Sequence, residues 1–113
     1  MRRAGKYRHR IELQYPDLVR DPLGGETKTW QRWKGDVPAE VVPLSGREFT
    51  AATAEHGTVT VRIEIPYLSG VEHTMRVLFD GKLYAVRAVL PDPTARGHIT
   101  LMVDEGLSDG RPA

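Results

Sequence analysis

The sequence predicts an all-β fold, a small β-barrel carrying one short helix and projecting loops. Three observations lead there. Runs of apolar–polar alternation recur along the chain, the period of a strand with one buried face. Glycine and proline turns interrupt them at short intervals. A single stretch near the middle has the composition of a helix. Many short strands between tight turns favour a closed sheet, because closure removes edges open to further pairing.

The elements follow in order. In "RHRIELQY", Ile11, Leu13 and Tyr15 share a face with His9, while Arg10, Glu12 and Gln14 share the other. Pro16 is expected to stop this strand. "DPLGGE" then supplies turn punctuation at Asp21-Pro22 and Gly24-Gly25. "ETKTWQRW" reads as a less regular strand, broken at Gly35-Asp36. "VPAEVVPL" carries Pro38 and Pro43. Proline cannot donate to a central ladder, so this strand is expected at an edge or a bulge.

"GREFTAATAEHG" is the helix candidate. Its alanines favour helix, and Gly57 suits a C-terminal cap. Ser45 stands three residues before Glu48, the spacing of a capping box. A capped helix is therefore expected over Ser45 to Glu55. "TVTVRIEI" is the cleanest strand, with Val59, Val61, Ile63 and Ile65 in phase. "MRVLF" and "KLYAVRAVL" flank Asp80-Gly81, the strongest hairpin signal in the chain. "HITLMVDE" is the last strand.

The expected core is Ile11, Leu13, Val59, Val61, Ile63, Val77, Phe79, Tyr84, Val86, Ile99, Leu101 and Val103. A chain of 113 residues fits one domain over 1–113, with a basic arm at 1–7 and a frayed tail at 107–113. About two-thirds of its unfolded surface can be buried, enough for a core without covalent staples.

Composition narrows the chemistry. The chain has no cysteine, which excludes disulfides, thiolate metal sites and a cysteine nucleophile. The formal charge of +1 gives no global attraction to nucleic acid or anionic membrane. No apolar run approaches the roughly 20 residues of a membrane-spanning helix. No apolar segment follows the basic start, so a signal peptide is not expected. His9, His56, His73 and His98 show no i, i+4 spacing and no H-E-x-x-H. Ser45 and Ser69 lack a G-x-S-x-G setting. "PLSGRE" has one glycine and no G-K-[ST], so it is not a phosphate loop. The expectation is a protein without enzymatic activity, cofactor or metal.

Charge distribution is more informative than its sum. Arg2, Arg3, Lys6, Arg8 and Arg10 crowd the start with no intervening acid. They form either a solvated arm or one that meets an acidic partner. Trp30 and Trp33 are candidates for packing or for anchoring an interface. Arg62, Glu64, Arg76 and Arg87 fall on outward strand positions, where charge is either simply solvated or sets register between neighbours. The alternative reading is a monomeric small-barrel nucleic-acid-binding module, in which Tyr7, Tyr15, Tyr67 and Tyr84 stack bases.

The order of these features resembles the phage head–tail joining proteins, also called head-closure or stopper proteins. The residues that carry it are "GKYRHRIELQ", "DPLGGETKTW", "AEVVPLSGRE", "MRVLFDGKLYAVRAV" and "ITLMVDEG". Together they run from Gly5 to Gly106. The resemblance implies a structural protein of a phage or phage-like particle, made in the bacterial host cytoplasm and located at the head–tail junction. It implies a homo-oligomeric ring, of six or twelve copies, that closes the DNA channel after packaging. The implied partners are a portal–adaptor protein above, a tail terminator or tail protein below, and packaged DNA held without sequence readout. No membrane and no cofactor are implied.

On that reading the candidate partner and ring contacts are Arg2, Arg3, Lys6, Arg8, Arg10, Trp30, Arg47 and Glu48. The candidate channel- or neighbour-facing positions are Asp21, Glu26, Lys28, Ser45, Arg47, Glu48, Glu55 and His56. The stretch from Phe49 to His56 is shorter and richer in alanine than the family pattern. Two segments therefore stay open as the channel-facing one, Asp21 to Lys28 and Ser45 to His56.

Overall fold

The computed structural model describes residues 6–47, 50, 60–92, 94, 97–105, 107–108 and 111–112. Eight strands follow one another: β1 (His9–Arg20), β2 (Glu26–Pro43), β3 (Val61–Pro66), β4 (Arg76–Phe79), β5 (Lys82–Pro91), β6 (His98–Asp104), β7 (Leu107–Ser108) and β8 (Arg111–Pro112). The first six make one antiparallel, ring-like sheet in the order β1-β2-β3-β6-β5-β4, with β4 returning to pair with β1. The last two pair with each other at 107–112, the region read from sequence as a frayed tail.

The interior is filled by the alternating residues. Ile11, Leu13, Val61, Ile63, Val77, Tyr84, Val86, Ile99, Leu101 and Val103 are all buried. Phe79 is only partly buried, packed against that core, and Val59 lies outside the described residues. Val37, Ala39, Ile65, Met75, Ala85 and Met102 join the buried set. Asp80 and Gly81 both have positive φ, at 53° and 77°, between the paired residues Phe79 and Lys82. That is the two-residue turn whose twist matches the flanking strands.

Two expected strand ends do not occur. β1 runs through Pro16 to Arg20, with Pro16 opposite Trp30. Proline is tolerated there because β4 pairs with β1 only at Glu12–Gln14. The far edge of β1 beyond Gln14 needs no ladder donor. Likewise Gly35-Asp36 does not break β2, which is continuous for 18 residues. The register moves from Ile11↔Val37 to Leu13↔Lys34 and then to Gln14↔Arg32. Each step leaves one extra residue in β2, and Asp36 absorbs its share with a φ of 50°. Pro38 faces Arg10 of β1, and β3 pairing begins only at Glu40, so Pro38 sits at a local edge as its chemistry requires.

The consequence is a ribbon. From Tyr15–Arg20 and Glu26–Gln31, β1 and β2 pair only with each other and extend beyond the closed part. The long axis of the molecule is 51 Å against 30 and 26 Å for the others. Tyr15, in phase with Ile11 and Leu13, is 38% exposed because it lies past the closed part.

The expected helix from Ser45 to Glu55 is not shown. Gly46, Arg47 and Thr50 have helical backbone, and the Thr50 hydroxyl donates to the Gly46 carbonyl at 3.0 Å. Glu48, Phe49 and 51–59 lie outside the described residues. Ser45 is exposed and outside any strand, so β2 does end before it.

Two mutations probe this architecture. Ile63 is fully buried, and Ile63→Ala is expected to cost about 2–5 kcal/mol in denaturant unfolding. Gly70 has a φ of 97°, and an added Cβ lies 2.9 Å from Cζ2 of Trp33. Gly70→Ala is expected to cost about 1–2 kcal/mol from the backbone alone, read as a lower midpoint at unchanged slope.

Candidate interface

The projecting ribbon is the most distinctive surface of the molecule. At its tip, Asp21 Oδ1 accepts hydrogen bonds from the amides of Leu23 at 2.8 Å and Gly25 at 2.9 Å. The Asp21 amide donates to the Gly25 carbonyl at 2.8 Å, and Gly24 takes a φ of 90°. Asp21 thus shapes the turn. Pro22 and Leu23 lie at its apex, and Leu23 is 96% exposed. Arg20 and Glu26 face each other across the ribbon just behind the tip at 3.9 Å, both well exposed.

On one face of the ribbon, Lys28 and Arg76 flank Trp30. The ammonium of Lys28 lies 5.5 Å from a Trp30 ring centroid and the guanidinium carbon of Arg76 lies 4.5 Å away. Arg76 also donates from Nε to Gln14 Oε1 at 2.6 Å. Gln14 donates to Glu12 at 2.6 Å, and Arg32 approaches Glu12 at 3.6 Å. This joins β1, β2 and β4 through one polar network around an indole. Among the described residues, buried Trp30 Nε1 has no hydrogen-bond partner. The indole is therefore held by packing and by cation–π contact.

The basic arm is partly tied down. Lys6 Nζ lies 3.0 Å from Glu64 Oε2, and the Tyr7 hydroxyl donates to the same oxygen at 2.8 Å. Burial pushes the Glu64 carboxyl up, but hydrogen bonds from Tyr7 and Lys6 and the charges of Lys6 and His98 outweigh it. The net effect holds it below the usual carboxylate value. Glu64 also stands opposite Glu40 across the β2–β3 ladder, so Lys6 answers a like-charge pair. Arg10 is exposed and donates to the carbonyls of Tyr7 and His9; Arg8 is exposed. Arg2 and Arg3 lie outside the described residues, as do Glu48, Glu55 and His56. Ser45 and Arg47 are exposed just beyond β2.

Of the candidate residues, the structure brings together Asp21, Glu26, Lys28 and Trp30 on the ribbon. It sets Lys6 against β3, on a different strand pair. The outward charges at Glu64, Arg76 and Arg87 are engaged within the chain. Arg87 is the extra residue of a bulge in β5, and its Nε lies 2.5 Å from the buried carboxylate of Asp104. Sequence reading missed the Arg76–Trp30 stack and the Arg87–Asp104 pair. Both join residues distant in sequence, and only the strand register brings them together. Among the described residues, no group of three or more histidine, aspartate or glutamate side chains is arranged to hold a metal ion. Among them, no helix is long and apolar enough to cross a membrane.

The ring-like sheet thus presents a projecting mixed-charge ribbon with a stacked indole at its root. Comparison with known proteins gives the class. Residues 2–106 match the family model described as phage head completion protein, and the chain belongs to that family. It is a structural protein of the phage particle at the head–tail junction. It is 32% identical over 73 residues to head completion protein gp7 of Enterobacteria phage HK97. That alignment takes in 65% of this chain and 64% of the HK97 protein.

Two solved structures share the fold. The solution structure of protein SF1141 from Shigella flexneri 2a superposes with a TM-score of 0.78 at 29% identity, over 93% of this chain and 97% of that one. A chain in the virion of a native gene transfer agent particle gives a TM-score of 0.58 at 22% identity, over 85% and 91%.

The Glu64 cluster makes a pH prediction. A carboxyl whose folded pKa is lowered contributes stability above its unfolded value, which is lost as pH falls through the folded value. Tyr7→Phe is expected to lower stability by about 1 kcal/mol at pH 7. The difference from the parent protein should shrink below the ordinary carboxyl value of 4.5. Urea unfolding of both proteins across pH 3 to 7 measures it.

Proposed function

We propose that this chain forms a homo-oligomeric ring at the head–tail junction that closes the DNA channel after packaging and gives the tail its docking surface. Membership of the phage head completion family is the observation that carries this reading. The fold supports it. Closing a channel needs a rigid scaffold with projecting segments and asks for no polar cavity. Here the strands form a small barrel as scaffold, the ribbon of β1 and β2 projects, and Leu44 and Ser45 lead out of β2 at the end away from the ribbon tip.

The partners in this reading are a portal–adaptor ring above, a tail protein below and the packaged DNA in the lumen. Arg8, Arg10, Arg47 and the ribbon's Lys28 and Glu26 are the described candidates for contacts between rings. Charges of both signs at these positions suit a surface that must stop DNA and later release it, since a strongly basic lumen would retain phosphates. The same observation weighs against a nucleic-acid-binding module, as Lys6, Arg76 and Arg87 already serve partners within the chain.

Deleting the gene tests the proposal. The expected particles are heads that package DNA and then lose it, beside complete tails that stay unattached. A block in head assembly or in packaging, or a yield of infectious tailed particles, overturns the reading.

A further inference from the structure

At the base of the ribbon the surface holds a cavity of about 290 Å³. Val37, Pro38, Pro66, Tyr67 and Leu68 line it, and Lys34 and Asp36 stand on its rim. Asp36 reaches this position through the left-handed backbone of the β2 bulge. Its apolar part is made of Val37, two prolines and a leucine packed on the core, and the Lys34 ammonium beside it lies 5.6 Å from a Trp33 ring centroid. Tyr67 is 40% exposed at its mouth.

The ribbon tip offers the complementary shape. Leu23 is an apolar side chain in water, held at the apex of a turn that Asp21 has already ordered. Such a knob loses little freedom on docking. The charges also match. Behind the knob stand one cation and one anion, Arg20 and Glu26, in a loose exposed pair. Around the cavity stand one anion and one cation, Asp36 and Lys34. A contact of this kind exchanges a weak surface pair for two cross-pairs at a drying interface.

The tip does not reach the cavity of its own chain. Arg20 and Glu26 are paired seven residues along β1 from Leu13, whose partner is Lys34. At strand rise that is about 23 Å of continuous antiparallel ribbon. We propose that Leu23 of one copy seats in the cavity at the ribbon base of a second copy, with Arg20 and Glu26 meeting Asp36 and Lys34. Knob and hole are different patches of one surface, so the contact is heterologous and its repetition closes into a ring when the rotation allows. The inference rests on the homo-oligomeric reading above and assigns its subunit contact.

The absence of native cysteine makes cross-linking a direct test. Particles are made in cells where the only copy of the gene carries Leu23→Cys with Tyr67→Cys, and are mildly oxidised. The expected product is a ladder of covalent multimers of this chain, whereas each single variant stops at a dimer or below. Leu23→Cys with Leu90→Cys, an exposed position on β5, is expected to give no ladder. In parallel, Leu23→Asp should keep the parent melting temperature, since Leu23 is 96% exposed. Its occupancy in particles should fall at least tenfold, while Leu23→Met stays near parent level.

Absence of the ladder in particles that contain the protein overturns the inference. So does a Leu23→Cys cross-link to a different protein, or normal occupancy of Leu23→Asp. If those particles still retain DNA and bear tails, the channel-closing reading stands and the docking assignment alone is discarded.

Discussion

The sheet closes through three residues. Glu12, Leu13 and Gln14 of β1 pair with Leu78, Val77 and Arg76 of β4, and no other part of β1 touches that strand's ladder. If β1 paired with β4 over its whole length, no ribbon would exist. If it did not pair at all, β1 and β4 would present open edges and the core of Leu13, Val77 and Ile63 would lose a wall. The short closure is possible because β2 absorbs the mismatch. Its two extra residues, beside Ile11–Leu13 and Leu13–Gln14, flank the closure point. The strand twists there and re-aims what lies beyond it. Gln14 and Arg76 are paired in the closing ladder and also belong to the network that packs on Trp30. Closure and the ribbon's root are therefore one construction.

Much of this was legible in the residues. The alternation of Val61, Ile63 and Ile65 needs only a two-residue period to declare a buried face, and Asp80-Gly81 declares its turn by left-handed preference. Those signals are local, and local physics decides them. Pro16 and Gly35-Asp36 misled because their usual effect depends on a neighbour. Proline ends a strand only where its missing amide would have been used, and β1 has no second neighbour at Pro16. A Gly-Asp pair ends a strand only if the partner strand cannot tolerate an extra residue. Tyr15 sits in phase with Ile11 and Leu13, but phase reports the face and not whether anything covers it. The roles of Arg76 and Arg87 depend on register across strands, which no single strand reveals. The turn at Asp21 to Gly25 was legible from its Asp-Pro and Gly-Gly pairs, but the long ribbon beneath it was not.

Charge is distributed by a consistent rule. Cations near the closed sheet are committed: Lys6 to Glu64, Arg87 to Asp104, Arg76 to Gln14 and the indole. The looser pairs, such as Arg20 with Glu26 and Lys82 with Glu105, sit toward the extremities. Interior pairs hold geometry, and peripheral ones exchange partners at small cost.

Strand β2 runs unbroken from Glu26, beside the ribbon tip, to Pro43, one residue before the chain leaves the sheet at Leu44. From Glu26 to Ala39 it runs beside β1, and its last four residues run beside β3. Mechanically it is a lever whose fulcrum is the double bulge at Trp33 to Asp36. Both arms are held in hydrogen-bonded ladders, so the ribbon tip and the exit at Leu44 are ends of one continuous strand. Whatever grips the tip is thus coupled in series with the segment that begins at Ser45.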